Sequence, residues 1–391
     1  MRKLTTLPGL AAVILVCVSL LAAGCVPVTR PSGEGAAAAA TATAAQATAE
    51  TSAASSGVCT PGAGSIAVLL PDTTSSPRWE TDDRRWFDAM LAQAGVSYTI
   101  SNAQGDPATQ RAQAQQALAE GAKVLVLVNL DSQSGAAIIA DARAAGAYVV
   151  DYDRLTTSGP GADVYVSFDN LAVGGLMATT LEPLINGLAT PMPQVVQLNG
   201  AATDNNALLV RAGYSSVATP FYDSGRWHLA ADQEVPNWDP VQARDIFSQI
   251  LAEAGDEGID AVFAANDVLA GSVVQVLKAQ GHAPILLSGQ DATVEALQNI
   301  LAGWQTMTVY KPIQQEAATA VIVALTLLNC EGVEVLNTNP INNGERDIPS
   351  ILLDPVAVTR DNIAATVIAD GFRTWDEICV GEYEQFCPAE R

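Results

Sequence analysis

The sequence predicts an α/β protein made of two doubly wound parallel-sheet lobes, on three observations. From Ser65 onward, short runs rich in Val, Ile and Leu alternate with helical patterns, as in parallel sheets covered on both faces. These runs are too many for one small sheet. Polar residues gather where the runs end, and ligands of open α/β sheets sit at the carboxyl ends of the strands. The chain of 391 residues, 49% hydrophobic, is long enough for two cores. On periodicity alone a single closed barrel remains the alternative.

In chain order the expected strands are SIAVLLP (65–71), VSYTISN (96–102), KVLVLVN (123–129), AYVVDYD (147–153), VYVSFD (164–169) and QVVQLNG (194–200). They continue with WHLAADQEV (227–235), DAVFAAND (260–267), PILLSGQ (284–290) and TMTVYKP (306–312). Helices are expected between most of them, for example Trp79–Ala94, Thr109–Glu120, Ser134–Ala145, Val268–Ala279 and Ile313–Leu328. Val294, Leu297, Ile300 and Leu301 stand at helical spacing, and Gly303 stops that helix.

The stretch 284–312 organises the rest. Its two strands deliver Asp291 and Lys311 to strand ends, so a carboxylate and an ammonium can face one crevice. Arg78 and Trp79 open the first helix: a planar fork of N–H donors suited to vicinal hydroxyls, and a flat face for a sugar ring. The same pair could be a solvated Arg and a core Trp. Asp153 and Arg154 end the fourth strand, where they either compensate each other or serve a ligand. Asp204, Asn205 and Asn206 precede a helix, as do Asn266 and Asp267, and in each set one residue is expected to be the N-cap, with Asp267 a candidate in the second. Trp238 sits between Pro236 and Pro240, a place suited to an aromatic lid.

GQDA (289–292) followed by TMTVYKP resembles the bacterial periplasmic D-xylose-binding proteins, the sugar-binding subunits of ABC importers. YDR (152–154), SFDN (167–170), DNNA (204–207), RAG (211–213), AND (265–267) and NNG (342–344) extend the resemblance from about Ile66 to Phe372. It implies the type I periplasmic binding fold, with a three-strand hinge crossing near Tyr165–Asp169, Val309–Lys311 and Pro349–Asp354. The lobes implied are 61–166 plus 312–348 and 167–311 plus 349–391. It implies sugar contacts at Arg78, Asp153, Arg154, Asn205 or Asn206, Asn266 and Asp291, stacking by Trp79 and Trp238, and Lys311 joining from the hinge. The function implied is capture of a monosaccharide, D-xylose first, for delivery to an importer permease. Glucose or another aldose is the alternative ligand, and a membrane sensor kinase the alternative partner. One departure is the neutral loop Thr73–Pro77, where family members carry charged residues.

Residues 1–25 read as a lipoprotein signal peptide. Arg2 and Lys3 precede a 14-residue apolar run, Leu10–Ala23, too short to span a bilayer comfortably, and Leu21–Cys25 resembles a lipobox. Cys25 is the expected lipidation site, anchoring the protein extracytoplasmically at the cell membrane. Residues 26–60 read as a flexible Ala/Thr-rich tether. Cys59, Cys330, Cys379 and Cys387 suit two disulfides in an exported protein. We expect Cys59–Cys330, because the amino end of the first strand and the far end of the helix 313–328 reach the same pole of the first lobe. Cys379–Cys387 would then close a small loop.

Other functions fit less well. The net charge is −23 and no basic cluster exceeds Arg84-Arg85, so no nucleic-acid footprint is present. Only His228 and His282 occur, and no GxSxG, HExxH or phosphate loop is found, so neither an enzyme nor a metal or cofactor is expected. A repressor would need a DNA-binding headpiece where the tether stands. A monomer is expected.

Overall fold

The computed structural model describes residues 60–389. The signal segment, Cys25, the tether up to Cys59 and residues 390–391 lie outside the described residues.

The first sheet has seven strands. They are β1 (Ser65–Leu70), β2 (Ser97–Asn102), β3 (Ala122–Leu127), β4 (Tyr148–Tyr152), β5 (Val164–Phe168), β11 (Asn339–Asn342) and β12 (Asp347–Leu353), in the order β11-β12-β5-β4-β3-β1-β2. All pairings are parallel except the hairpin β11–β12. The inner strands β1, β3, β4 and β5 are buried on both faces, which explains their apolar runs. Ile66, Val68 and Leu70 pack with α1 (Arg84–Ala94) and α9 (Ile313–Leu328), while Ala67 and Leu69 pack with α2 (Pro107–Ala119) and α3 (Ser132–Ala144).

The second sheet is β7-β6-β8-β9, all parallel: β6 (Gln194–Asn199), β7 (His228–Glu234), β8 (Ala261–Ala264) and β9 (Leu286–Leu287). Its helices are α4 (Asn170–Asn186), α5 (Asn205–Asp223), α6 (Pro240–Ala254), α7 (Asp267–Gln280) and α8 (Val294–Ala302). Helices α4 and α5 approach closely because Gly174 and Gly213 meet at the crossing. A Cβ on Gly174 would stand 2.0 Å from the Val210 carbonyl oxygen, and one on Gly213 2.3 Å from that of Leu171.

Between the sheets, β10 (Met307–Tyr310) pairs antiparallel with β13 (Val356–Thr359). The chain crosses from one sheet to the other after β5, after β10 and after β12, so the two lobes share a three-strand hinge. Two expected lobe boundaries fall inside strands. The cut at 166/167 divides β5, and the cut at 348/349 divides β12, whose Ser350–Leu353 pair with Tyr165–Phe168. The chain therefore leaves the first sheet after Phe168 and Leu353. PILLSGQ, expected as a full strand, keeps only Leu286–Leu287, because Ser288 to Asp291 turn away to build the cleft. An isolated bridge from Gln290 to Val309 ties that turn to the hinge.

Beyond β13 the tail packs on α8 and the hinge: Val358, Ile363, Val367, Phe372 and Ile378 join Leu297, Ile300 and Leu301. The expected Cys379–Cys387 bond is present. Cys330, at the end of α9, is also disulfide-bonded, but its expected partner Cys59 lies outside the described residues. Among the described residues no helix is long and apolar enough to cross a membrane.

Candidate functional site: a charged cavity between the lobes

The order β2-β1-β3-β4-β5 and the order β7-β6-β8-β9 both reverse direction beside their first strand, and ligands bind outside the carboxyl ends of strands at such a reversal. The loops after β1, β4, β6, β7, β8, β9 and β10 meet there. They line one cavity with Ser75, Ser76, Arg78, Trp79, Asp153, Arg154, Asp204, Asn206, Trp238, Asn266, Gln290, Asp291 and Lys311.

Each loop is held by its own chemistry. Asp72 folds the first: Oδ1 accepts from the Thr74 and Ser75 amides at 2.7 and 2.6 Å, and Oδ2 from Ser75 Oγ at 2.9 Å. Ser75 Oγ in turn accepts from Trp79 Nε1 and Arg154 Nη2 at 3.1 and 3.2 Å. Asp153 has φ +61° and Asp291 φ +99°, left-handed values uncommon for residues with a side chain, which turn both carboxylates into the cavity. Trp238 lies on Gly200, where a Cβ would meet its ring at 2.2 Å, and its Nε1 donates to Asp204 Oδ2 at 3.2 Å.

The centre is an ion network. Arg78 donates from Nε and Nη2 to Asp83 at 2.8 Å each, from Nη2 to Glu316 at 2.7 Å and from Nη1 to Asp153 at 2.9 Å. Lys311 Nζ stands 3.0 Å from Asp291 Oδ1 and 3.6 Å from Asp153 Oδ2. Burial works against the charge of Arg78, but Asp83, Asp153 and Glu316 hold its pKa well above the usual value. Burial alone would push the Asp153 carboxyl up; Lys311, Arg78 and Arg154 outweigh it and hold it low. Lys311 likewise keeps its proton, raised by Asp153 and Asp291 against burial. Glu316 goes the other way: burial lifts it well above the ordinary carboxylate range despite Arg78.

The cavity is closed from both sides. Asn206 Nδ2 of the second lobe donates to Asp153 Oδ1 at 2.9 Å, and Arg154 Nε lies 3.0 Å from Asp204 Oδ2. Asn266 Nδ2 donates to the Ser75 carbonyl at 3.0 Å, and Ser76 Oγ to Asp291 Oδ2 at 3.1 Å. Two buried acceptors on this wall, Asn206 Oδ1 and Gln290 Oε1, have no hydrogen-bond partner. Buried polar atoms are seldom left so, and a hydroxyl-bearing ligand would satisfy them.

Of the residues singled out from sequence, the structure brings Arg78, Trp79, Asp153, Arg154, Asn206, Trp238, Asn266, Asp291 and Lys311 to this cavity. Asn205 is not among them: it occupies the first position of α5, one residue off the inward-facing side. Asp267 does not cap α7. Asn266 does, accepting from the Leu269 amide at 3.0 Å, while Asp267 is buried behind the wall and accepts from the Thr293 amide, Gln305 and Thr308. Arg78 does not offer its whole fork, since four of its five N–H groups serve carboxylates. Ser75, Ser76 and Gln290 line it without a sequence expectation, and Asp204, expected only as a possible cap, caps α5 and lines it as well. The alternation of loop and strand end could have flagged Gln290 and Asp204; for the two serines the sequence holds no such signal. Among the described residues no group of three His, Cys, Asp or Glu is placed to hold a metal.

This two-lobed architecture with a polar interlobe cavity is that of a ligand-binding protein. The chain belongs to the periplasmic binding protein family, whose periplasmic binding protein domain matches residues 66–332. It is 38% identical to the D-xylose-binding periplasmic protein of Escherichia coli, over 77% of this chain and 88% of that one. It is 30% identical to a multiple sugar-binding periplasmic receptor of Rhizobium radiobacter, over 81% of this chain and 92% of that one. A carbohydrate transporter solute-binding protein from Chloroflexus aurantiacus, solved with D-glucose, superposes with a TM-score of 0.72 at 28% identity, covering 80% of this chain and 97% of that one.

Proposed function

We propose that the protein is an extracytoplasmic solute-binding lipoprotein that captures a monosaccharide, D-xylose first, between its lobes and delivers it to the permease of an ABC importer. The observation that carries the reading is the pair of partnerless buried acceptors, Asn206 Oδ1 and Gln290 Oε1, in a wall that also holds Asp153, Asp291, Arg154 and Lys311 between Trp79 and Trp238. Hydroxyls both donate and accept, so a neutral polyol suits a wall of mixed donors and acceptors, and the two indoles offer stacking faces. The D-xylose-binding relative supports the pentose, and the D-glucose complex of the Chloroflexus protein supports a hexose as the second reading. We assign the first lobe to 61–168 plus 312–353 and the second to the remainder of the described chain. No catalytic step is assigned. Cleavage before Cys25 with lipidation of its thiol, a Cys59–Cys330 bond and a monomeric state belong to the same proposal. Mass spectrometry of the N-terminal peptide and non-reducing peptide mapping test the first two.

Titration of the soluble fragment with a panel of aldoses tests the ligand. D-xylose is expected to quench or enhance Trp fluorescence and to raise Tm, as any ligand of the native state must. Failure of every aldose to shift Tm would sink the reading.

A further inference from the structure

We infer that Glu316, which lies outside the cavity, is a positioning residue for the sugar site: it fixes the guanidinium of Arg78 from behind so that the remaining N–H points at the ligand. The inference rests on the monosaccharide reading above.

Arg78 lines the cavity, but its donors are divided. Asp83 takes Nε and one Nη2 hydrogen, and Asp153 takes one Nη1 hydrogen. The second Nη2 hydrogen reaches Glu316 Oε2 at 2.7 Å. One Nη1 hydrogen is left, on a residue that lines the cavity. A guanidinium is planar, so holding both Nη2 hydrogens and Nε fixes the direction of that last donor. Glu316 arrives for this from the hinge. It sits in the first turn of α9, five residues after Lys311, so one short segment supplies a cation to the cavity and an acceptor beneath it. Glu316 and Asp83 are fully buried, and Tyr152 Oη donates to Asp83 Oδ1 at 2.6 Å, so Asp83 is itself held in place. Glu316 Oε1 has no hydrogen-bond partner, so the side chain's one hydrogen bond is the one to Arg78. Glutamine keeps an acceptor oxygen at the same reach and so preserves this bond.

The test compares Glu316→Ala with Glu316→Gln in the full soluble fragment, reading D-xylose and D-glucose affinity by calorimetry and Tm without sugar. Loss of a charge-assisted acceptor should weaken binding roughly ten- to hundredfold in the alanine variant. The glutamine variant should stay within about threefold of wild type, because its amide oxygen still accepts from Nη2. Tm of the two sugar-free variants should differ less than their affinities do. An alanine variant that binds like wild type overturns the inference, and so does a glutamine variant as weak as alanine. If the alanine variant does not fold, Glu316→Asp replaces it: its shorter reach should weaken binding about tenfold, and unchanged affinity overturns the inference. A wild-type protein that binds no aldose would instead refute the ligand reading, so the two failures are distinguishable.

Discussion

At the scale of single residues, Asp291 carries the sharpest expectation. It accepts from Ser76, pairs with Lys311 and faces the cavity. Asp291→Ala leaves Lys311 beside an empty place and should cost the sugar affinity roughly tens- to thousands-fold, measured by calorimetry. Asp267, by contrast, belongs to a pH argument. Burial raises its carboxyl from 3.8 to about 7, with the Asp291 charge adding to it against three donors. A raised folded pKa means the native state binds more protons than the unfolded chain, so stability is fully present at low pH and falls as pH rises from 3.8 to about 7. Asp267→Asn should therefore gain urea stability relative to wild type across that window, and no further above it. The residues legible in the sequence were those ending a strand with a charge or an amide. Asp204 was legible only as a cap, because a capping side chain has a second oxygen whose use depends on the neighbouring lobe. Ser75 and Ser76 were illegible: their role comes from Asp72 folding the loop against Asn266 and Asp291, residues nearly two hundred or more positions away.

At the scale of elements, the period of the apolar runs located the long strands and helices, and it failed where a strand is short. Leu286–Leu287 has two residues to pair, Pro340 and Pro349 interrupt β11 and β12, and β13 has only four residues. The RAG segment has a plain mechanical reason. Gly213 lets α5 lie against α4, with backbone and not a movable side chain as its neighbour. Gly213→Ala should then cost about 1–3 kcal/mol, read from denaturant midpoints, because the helices must part. A cost below half a unit would show that the pair can slide. The helix starts from α2 to α8 are alike in another respect: Asp106, Asp131, Asp169, Asp204, Asp239, Asn266 and Thr293 each accept from an amide of their own first turn.

At the scale of the whole molecule, the lobes are joined by more than the cavity wall. Arg373 of the tail grips Asp82 with two bonds, 2.7 and 2.8 Å, and both side chains are largely buried. The tail rests on α8 of the second lobe, with Gln298 Nε2 donating to the Ile378 carbonyl at 2.9 Å, whereas Asp82 stands in the π-helical turn Trp79–Asp83 of the first. Arg373→Met should weaken sugar binding about tenfold, or ~1.4 kcal/mol, without touching the cavity. Small-angle scattering would show the sugar-bound variant less compact than wild type; equal affinity and equal compactness would assign the pair to the tail's stability alone. The capped helix starts also bear on the charge that the cavity can hold. A helix start with free amides is a ready receptor for phosphate. At the two helix starts in the cavity wall, Asp204 takes the Asn206 amide and Asn266 the Leu269 amide. A phosphate brought to either start would meet a side-chain oxygen already bonded to that amide.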